Sequence, residues 1–105
     1  MTYKIKVTKS FDKKLSNLPK LFNLTKEEAQ EVLEEITFAM NELQKYGELP
    51  VEYADHVLER KPWIGYNEFH VLDDLLVVYF KVDKKKVIRM VTITNHEILG
   101  TGEMW

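Results

Sequence analysis

Hydrophobic positions change their period along this chain, and each change marks a new element. Near the start, Tyr3, Ile5 and Val7 alternate with Lys4, Lys6 and Thr8. That period of two describes a half-buried strand with a basic outer face. Phe11, Leu15 and Leu18 follow at i, i+4 and i+7, the stripe of a short helix that Ser10 can cap and Pro19 can end. Lys13, Lys14 and Lys20 fall outside the stripe and read as solvated surface. Thr25, Lys26, Glu27 and Glu28 have the form of a capping box. Glu27, Glu28 and Glu31 also complement the positive end of a helix dipole. Ala29, Val32, Leu33, Ile36, Ala39, Met40 and Leu43 then recur at helical spacing until Gly47 and Pro50 close the helix.

Beyond Pro50 the pattern is that of strands. Val57 and Leu58 begin one, which Pro62, Trp63, Ile64 and Gly65 break. Residues 66–72 read as extended, with Asn67, Phe69 and Val71 on one face and Tyr66, Glu68, His70 and Leu72 on the other. Asp73 and Asp74 turn the chain into residues 75–82, an apolar run expected of a central strand. Asp83, Lys84, Lys85 and Lys86 turn it again into a strand over residues 87–94, and residues 95–99 read as a helical turn or a final short strand. The expected fold is α+β: an antiparallel sheet of four or five strands with two N-terminal helices on one face.

With 105 residues, 45% hydrophobic and 30% charged, the chain has the balance of one globular domain spanning residues 1–105. The absence of cysteine excludes disulfides, thiolate metal sites and a cysteine nucleophile. The first residues hold no apolar run of signal-peptide length, and no stretch approaches the ~20 apolar residues of a membrane span. A soluble, cytoplasmic protein is expected. Taken alone, the formal charge of −2 argues against nucleic acid, but it averages three unlike segments. Residues 1–26 carry +6, residues 27–59 carry −9 and residues 60–105 carry +1. Half of the acids in the middle segment belong to the outer face of the long helix, so the average does not exclude RNA.

The candidate chemistry is concentrated in the second half. His56, His70 and His96 each lie near a strand end or turn, and Asp74 stands four residues after His70. Histidine is the side chain suited to proton transfer at neutral pH; a surface or capping role is the competing reading for each. The His70–Asp74 spacing crosses a strand-to-turn boundary and no second histidine lies close, so no metal site is expected. Phosphate-binding, dinucleotide-binding and serine-hydrolase glycine motifs are absent. Trp63 and Tyr66, which flank Gly65, either fill a core or stack on bases.

The order of features says more than any one of them. Leu49 and Pro50 are followed by residues 53–58 (Tyr53, Ala54, Asp55, His56, Val57, Leu58) and 63–66 (Trp63, Ile64, Gly65, Tyr66). Phe69, His70, Val71 and Asp74 come next, then residues 75–79, and last Thr94, Asn95 and His96. With the opening pattern of Tyr3, Ile5, Thr8, Phe11 and Lys13, this series resembles the YafQ-like branch of the RelE/ParE toxins of bacterial type II toxin–antitoxin pairs. The resemblance implies a microbial-ribonuclease-like fold and an endoribonuclease that cuts mRNA on the ribosome without a metal or other cofactor. By position, His56, His70, Asp74 and His96 match the family's catalytic residues. His70 and His96 would transfer protons, Asp74 would orient one of them or act as base, and His56 would contact the phosphate. The family's usual arginine four residues before the last histidine is Thr92 here, and another is Asn67. Arg89, three residues before Thr92, points to the opposite face of a regular strand and replaces that arginine only if a bulge intervenes. Lys81, Arg89 and Thr92 are the candidate RNA- and phosphate-binding residues. The implied partners are a cognate antitoxin, the ribosome and mRNA, with operator DNA reached only through the antitoxin and no membrane. A gyrase poison of the ParE kind, or a catalytically weak toxin acting as antitoxin partner and co-repressor, is the alternative.

Overall fold

The computed structural model describes residues 2–53, 55–59, 64–72 and 75–95. The first strand, β1 (Lys4–Val7), runs almost directly into helix α1 (Lys9–Ser16) because Thr8 serves both. Its hydroxyl accepts the Phe11 N–H at 3.0 Å and donates to the Val91 carbonyl at 2.6 Å. The helix therefore begins earlier than the Ser10 cap expected from sequence, since Thr8 joins the cap to a strand carbonyl far along the chain. Pro19 does not end α1 either. The helix stops at Ser16, and Pro19 lies in the first turn of a further short helix, α2 (Leu18–Phe22), where a missing N–H breaks no bond.

Helix α3 (Lys26–Tyr46) has both ends that the sequence specifies. Thr25 Oγ1 accepts the Glu28 N–H at 3.1 Å, and Glu28 Oε1 accepts the Thr25 N–H at 2.9 Å. Gly47 closes the helix at φ +72°, and a Cβ there would collide with the Tyr3 ring. Val32, Ile36, Ala39 and Leu43 form the buried stripe, while Leu33 stays on its exposed flank.

Strands β2 (His56–Val57), β3 (Asn67–Val71), β4 (Leu75–Val82) and β5 (Val87–Asn95) complete a five-stranded sheet in the order β1-β5-β4-β3-β2. The β2–β3, β3–β4 and β4–β5 pairs are antiparallel, as expected, whereas β1 runs parallel to β5. Alternation tells which face a residue takes; it carries no information about the neighbour or direction of a strand separated from the others by three helices. The expected features at Pro62 and Trp63, at Asp73 and Asp74, and over residues 96–99 lie outside the described residues.

The two faces of the sheet differ. Phe69, Val77, Tyr79, Ile88, Met90 and Ile93 pack with the α3 stripe, Phe11 and Leu18 into one core. On the other face, Val78 and Val91 form a small separate cluster with Leu58 and Tyr66. No helix among the described residues is long and apolar enough to cross a membrane.

Candidate active site

Strand register assembles the second, polar face. His70 pairs with Leu76 and Leu76 with Thr94, forming one row across β3, β4 and β5. The next row is Glu68, Val78 and Thr92, and His56 takes the register position beside Glu68 in β2. Cross-strand partners share a face, as do residues two apart along a strand, so both rows look out on the same side. Strands lie about 4.8 Å apart and the two rows about 7 Å. Among the described residues, the buried polar or charged side chains are Glu68, Thr92 and Thr94, and all three belong to these two rows. Burial of polar groups is costly unless they are satisfied or used. Their convergence beside His70 gives this face a polar character that the core face lacks.

Arg89 also joins this face. Val78 faces Thr92 but Tyr79 faces Met90, which leaves Val91 as an extra residue in β5. That bulge shifts the alternation, and Arg89 pairs with Phe80, two residues on from Val78. Arg89 and Thr92 thus share the polar face, although a regular strand would separate them. A second cation arrives from α1. Lys14 Nζ donates to Thr92 Oγ1 at 2.9 Å, and Ser10 Oγ lies 3.3 Å from the same oxygen. Sequence reading takes Lys14 for surface, because nothing local announces a partner 78 residues away. The contact exists because β1 ends opposite Met90, leaving the next stretch of β5 to α1.

Lys81 does not belong to this group. It pairs with the core residue Ile88, and its ammonium donates to the Gly47 carbonyl at 2.8 Å, with Asp83 4.0 Å away. It ties the end of α3 to the packed face. Asp74, His96 and the side chain of His56 lie outside the described residues. The strand carrying His56 is anchored next door, where Tyr79 donates from its hydroxyl to Asp55 Oδ2 at 2.6 Å. Burial, and then this carboxylate, push the Tyr79 hydroxyl's pKa up.

Two of the clefts among the described residues bear on the site. One of about 490 Å³ runs from the edge of β3 at His70 to α3 and is lined by Glu31, Glu35 and Glu52; three carboxylates make it hostile to a phosphate. The other, about 280 Å³, is lined by Tyr66, Phe80, Val91 and Arg89 on the polar face. Cations and hydroxyls gather on the side of the sheet that faces away from the acidic helix.

A family model described as bacterial toxin of type II toxin–antitoxin system, YafQ, matches residues 3–101. No curated protein sequence is similar enough to count as a match. Among solved structures, the E. coli DinJ–YafQ toxin–antitoxin complex is similar with a TM-score of 0.67 and 23% identity, over 94% of this chain and 98% of that one. A conserved hypothetical protein of Helicobacter pylori aligns with a TM-score of 0.57 and 27% identity, over 92% of this chain and 97% of the other. The Mycobacterium tuberculosis RelBE2 toxin–antitoxin complex aligns with a TM-score of 0.59 and 14% identity, over 91% and 100% of the two chains.

Proposed function

Since this chain belongs to the YafQ family of toxins from bacterial type II toxin–antitoxin systems, we propose that it is a ribosome-dependent endoribonuclease that cleaves mRNA and is restrained by a cognate antitoxin. In the reaction the ribose 2′-hydroxyl attacks the adjacent phosphate while a base takes its proton. A pentacoordinate phosphorane forms, an acid protonates the departing 5′ oxygen, and a 2′,3′-cyclic phosphate remains. The chemistry requires proton carriers on both sides of the phosphorus and positive charge at its oxygens.

The observation that carries this reading is the gathering of His70, three buried polar side chains and two cations on one face of a sheet whose other face is apolar. His70 and His96 transfer the protons, with Asp74 orienting one of them or serving as base and His56 contacting the phosphate. Lys14, held at Thr92, supplies charge where the family has an arginine, and Arg89 extends it toward the neighbouring phosphate. The E. coli and M. tuberculosis relatives are solved as complexes with antitoxins. A small partner acidic at its toxin-binding end fits Lys4, Lys6, Lys13 and Lys14 here, and covering Lys14 would silence the site directly. Such a pair meets operator DNA through the antitoxin, and ribosomes place its action in the cytoplasm.

Induction followed by mapping of transcript 5′ ends tests the proposal. The expected result is cleavage of mRNA that stops when translation is blocked and is absent in His70→Ala. Intact transcripts together with broken DNA would overturn it in favour of a gyrase poison.

A further inference from the structure

We propose that the groove between Tyr66, Phe80 and Arg89 is a nucleotide subsite for single-stranded RNA, taking one base on the face of Phe80 and its phosphate on Arg89. The inference rests on the endoribonuclease reading and adds to it the place where a nucleotide flanking the scissile one is held. Phe80 is a large aromatic left 37% exposed on a strand whose other large side chains are almost all buried. Tyr66 packs against it, with ring centroids 5.1 Å apart and the planes tilted by 59°. The pair is in contact, so a base does not enter between the two rings and stacks on the Phe80 surface that lines the groove.

The support is itself fixed. The Tyr66 carbonyl accepts the Leu58 N–H at 2.7 Å, and the Gly65 N–H donates to the Leu58 carbonyl at 3.2 Å. Gly65 turns the chain above the groove at φ +88°, a conformation that side chains rarely adopt, and Phe80 Cε2 is the nearest atom to the place of a Cβ there, at 4.0 Å. At about 280 Å³, the groove is near the small end of ligand pockets, which suits one base and not a folded stretch of RNA.

Charge selects the occupant. The bulge at Val91 brings Arg89 to the rim, and the register partner of Arg89 in β1 is Lys6, with Lys4 opposite Val87 two residues before. An aromatic platform beside a row of cations is the arrangement that binds single-stranded nucleic acid. The groove continues the face that carries His70 and Thr92, four residues along β4 from the position paired with His70, or about 13 Å. A strand lying across both places one nucleotide at the histidine and another at the groove.

Titration of the purified protein with short oligoribonucleotides, methylated at the 2′ oxygen so that they cannot be cut, reads the subsite apart from cleavage. RNA is expected to shift the ring resonances of Phe80 and Tyr66, and Phe80→Ala to weaken binding about tenfold. Arg89→Gln is expected to weaken all sequences alike and flatten the salt dependence by about 0.7 in log–log slope, the signature of one lost phosphate contact. Unmoved ring resonances at millimolar RNA, or affinity indifferent to both substitutions in folded protein, overturns the subsite even where transcripts are cleaved. Ring shifts produced by the antitoxin and not by RNA overturn it equally, and assign the groove to protein binding. Normal RNA binding in a protein that never cuts transcripts leaves the subsite standing and removes the nuclease.

Discussion

The two faces of one five-stranded sheet, built from alternate residues of the same strands, follow opposite rules. Beneath α3, Phe69, Val77, Tyr79, Met90 and Ile93 interlock with Val32, Ile36, Ala39 and Leu43, and one cation on that side, Lys81, is spent on the Gly47 carbonyl. On the far side the same strands present Glu68, His70, Thr92, Thr94 and Arg89, with Lys14 brought in from α1. Stability is concentrated in the first face, and the second holds polar groups that a packing argument alone would replace with apolar ones. Substitutions on the two faces should therefore separate stability from activity.

The largest effect belongs to the polar face. His70→Ala is expected to lower transcript cleavage by roughly 10²–10⁴ while leaving the urea midpoint within the range of a surface substitution. A folded His70→Ala protein that still arrests growth and cuts mRNA at the normal rate would break the comparison. The converse is Ile36→Ala, at 0% exposure in the α3 stripe. It is expected to cost about 2–5 kcal/mol in urea unfolding, and any molecules that remain folded should cleave with unchanged site preference.

Much of this division was legible in the sequence. Thr25, Glu28 and Gly47 fix the ends of α3 through local bonds, so local pattern suffices for them. The alternation likewise put His70 on the face opposite Phe69 and Val71, and the packing of those two residues makes it the face away from the core. The signal for Glu68 was present too, since it stands two residues before His70 and so shares its face. What escaped was long-range. The Thr8 cap is tied to Val91, the Lys14 contact spans 78 residues, and the parallel direction of β1 depends on how three helices return the chain. The Val91 bulge is intermediate: sequence shows that Arg89 needs one to reach the face of Thr92, but only the pairing with β4 supplies it.

Lys14→Met tests the least legible of these contacts. Loss of an enclosed transition-state donor costs about 10²–10³ in rate. An ammonium on a flexible stem, screened by salt, should cost less, roughly tenfold to a hundredfold. The effect should appear in kcat more than in KM and recover partly in Lys14→Arg, because a guanidinium can restore the charge at Thr92. A loss of folding stability matching the loss of activity would instead make Lys14 a structural strut between α1 and β5.

The smallest effect is on the packed face, and pH exposes it. Burial, followed by the charge of Glu35, raises the Tyr53 hydroxyl from its ordinary 10 to about 12. Below pH 10 the hydroxyl is protonated in both folded and unfolded chains, so it adds no pH dependence. Between 10 and 12 the unfolded chain releases the proton and the folded chain retains it, so stability falls as pH rises. Tyr79, raised in the same direction by burial and by Asp55, steepens the decline. Tyr53→Phe should remove part of this alkaline slope in urea midpoints measured from pH 9 to 12 and change nothing near neutrality. The packed face takes no part in the proposed chemistry, so cleavage by Tyr53→Phe should keep the parent's pH profile near neutrality. A shifted neutral profile would mean that the two faces are coupled through β3, where Tyr53 packs edge-on against Phe69, the residue before His70.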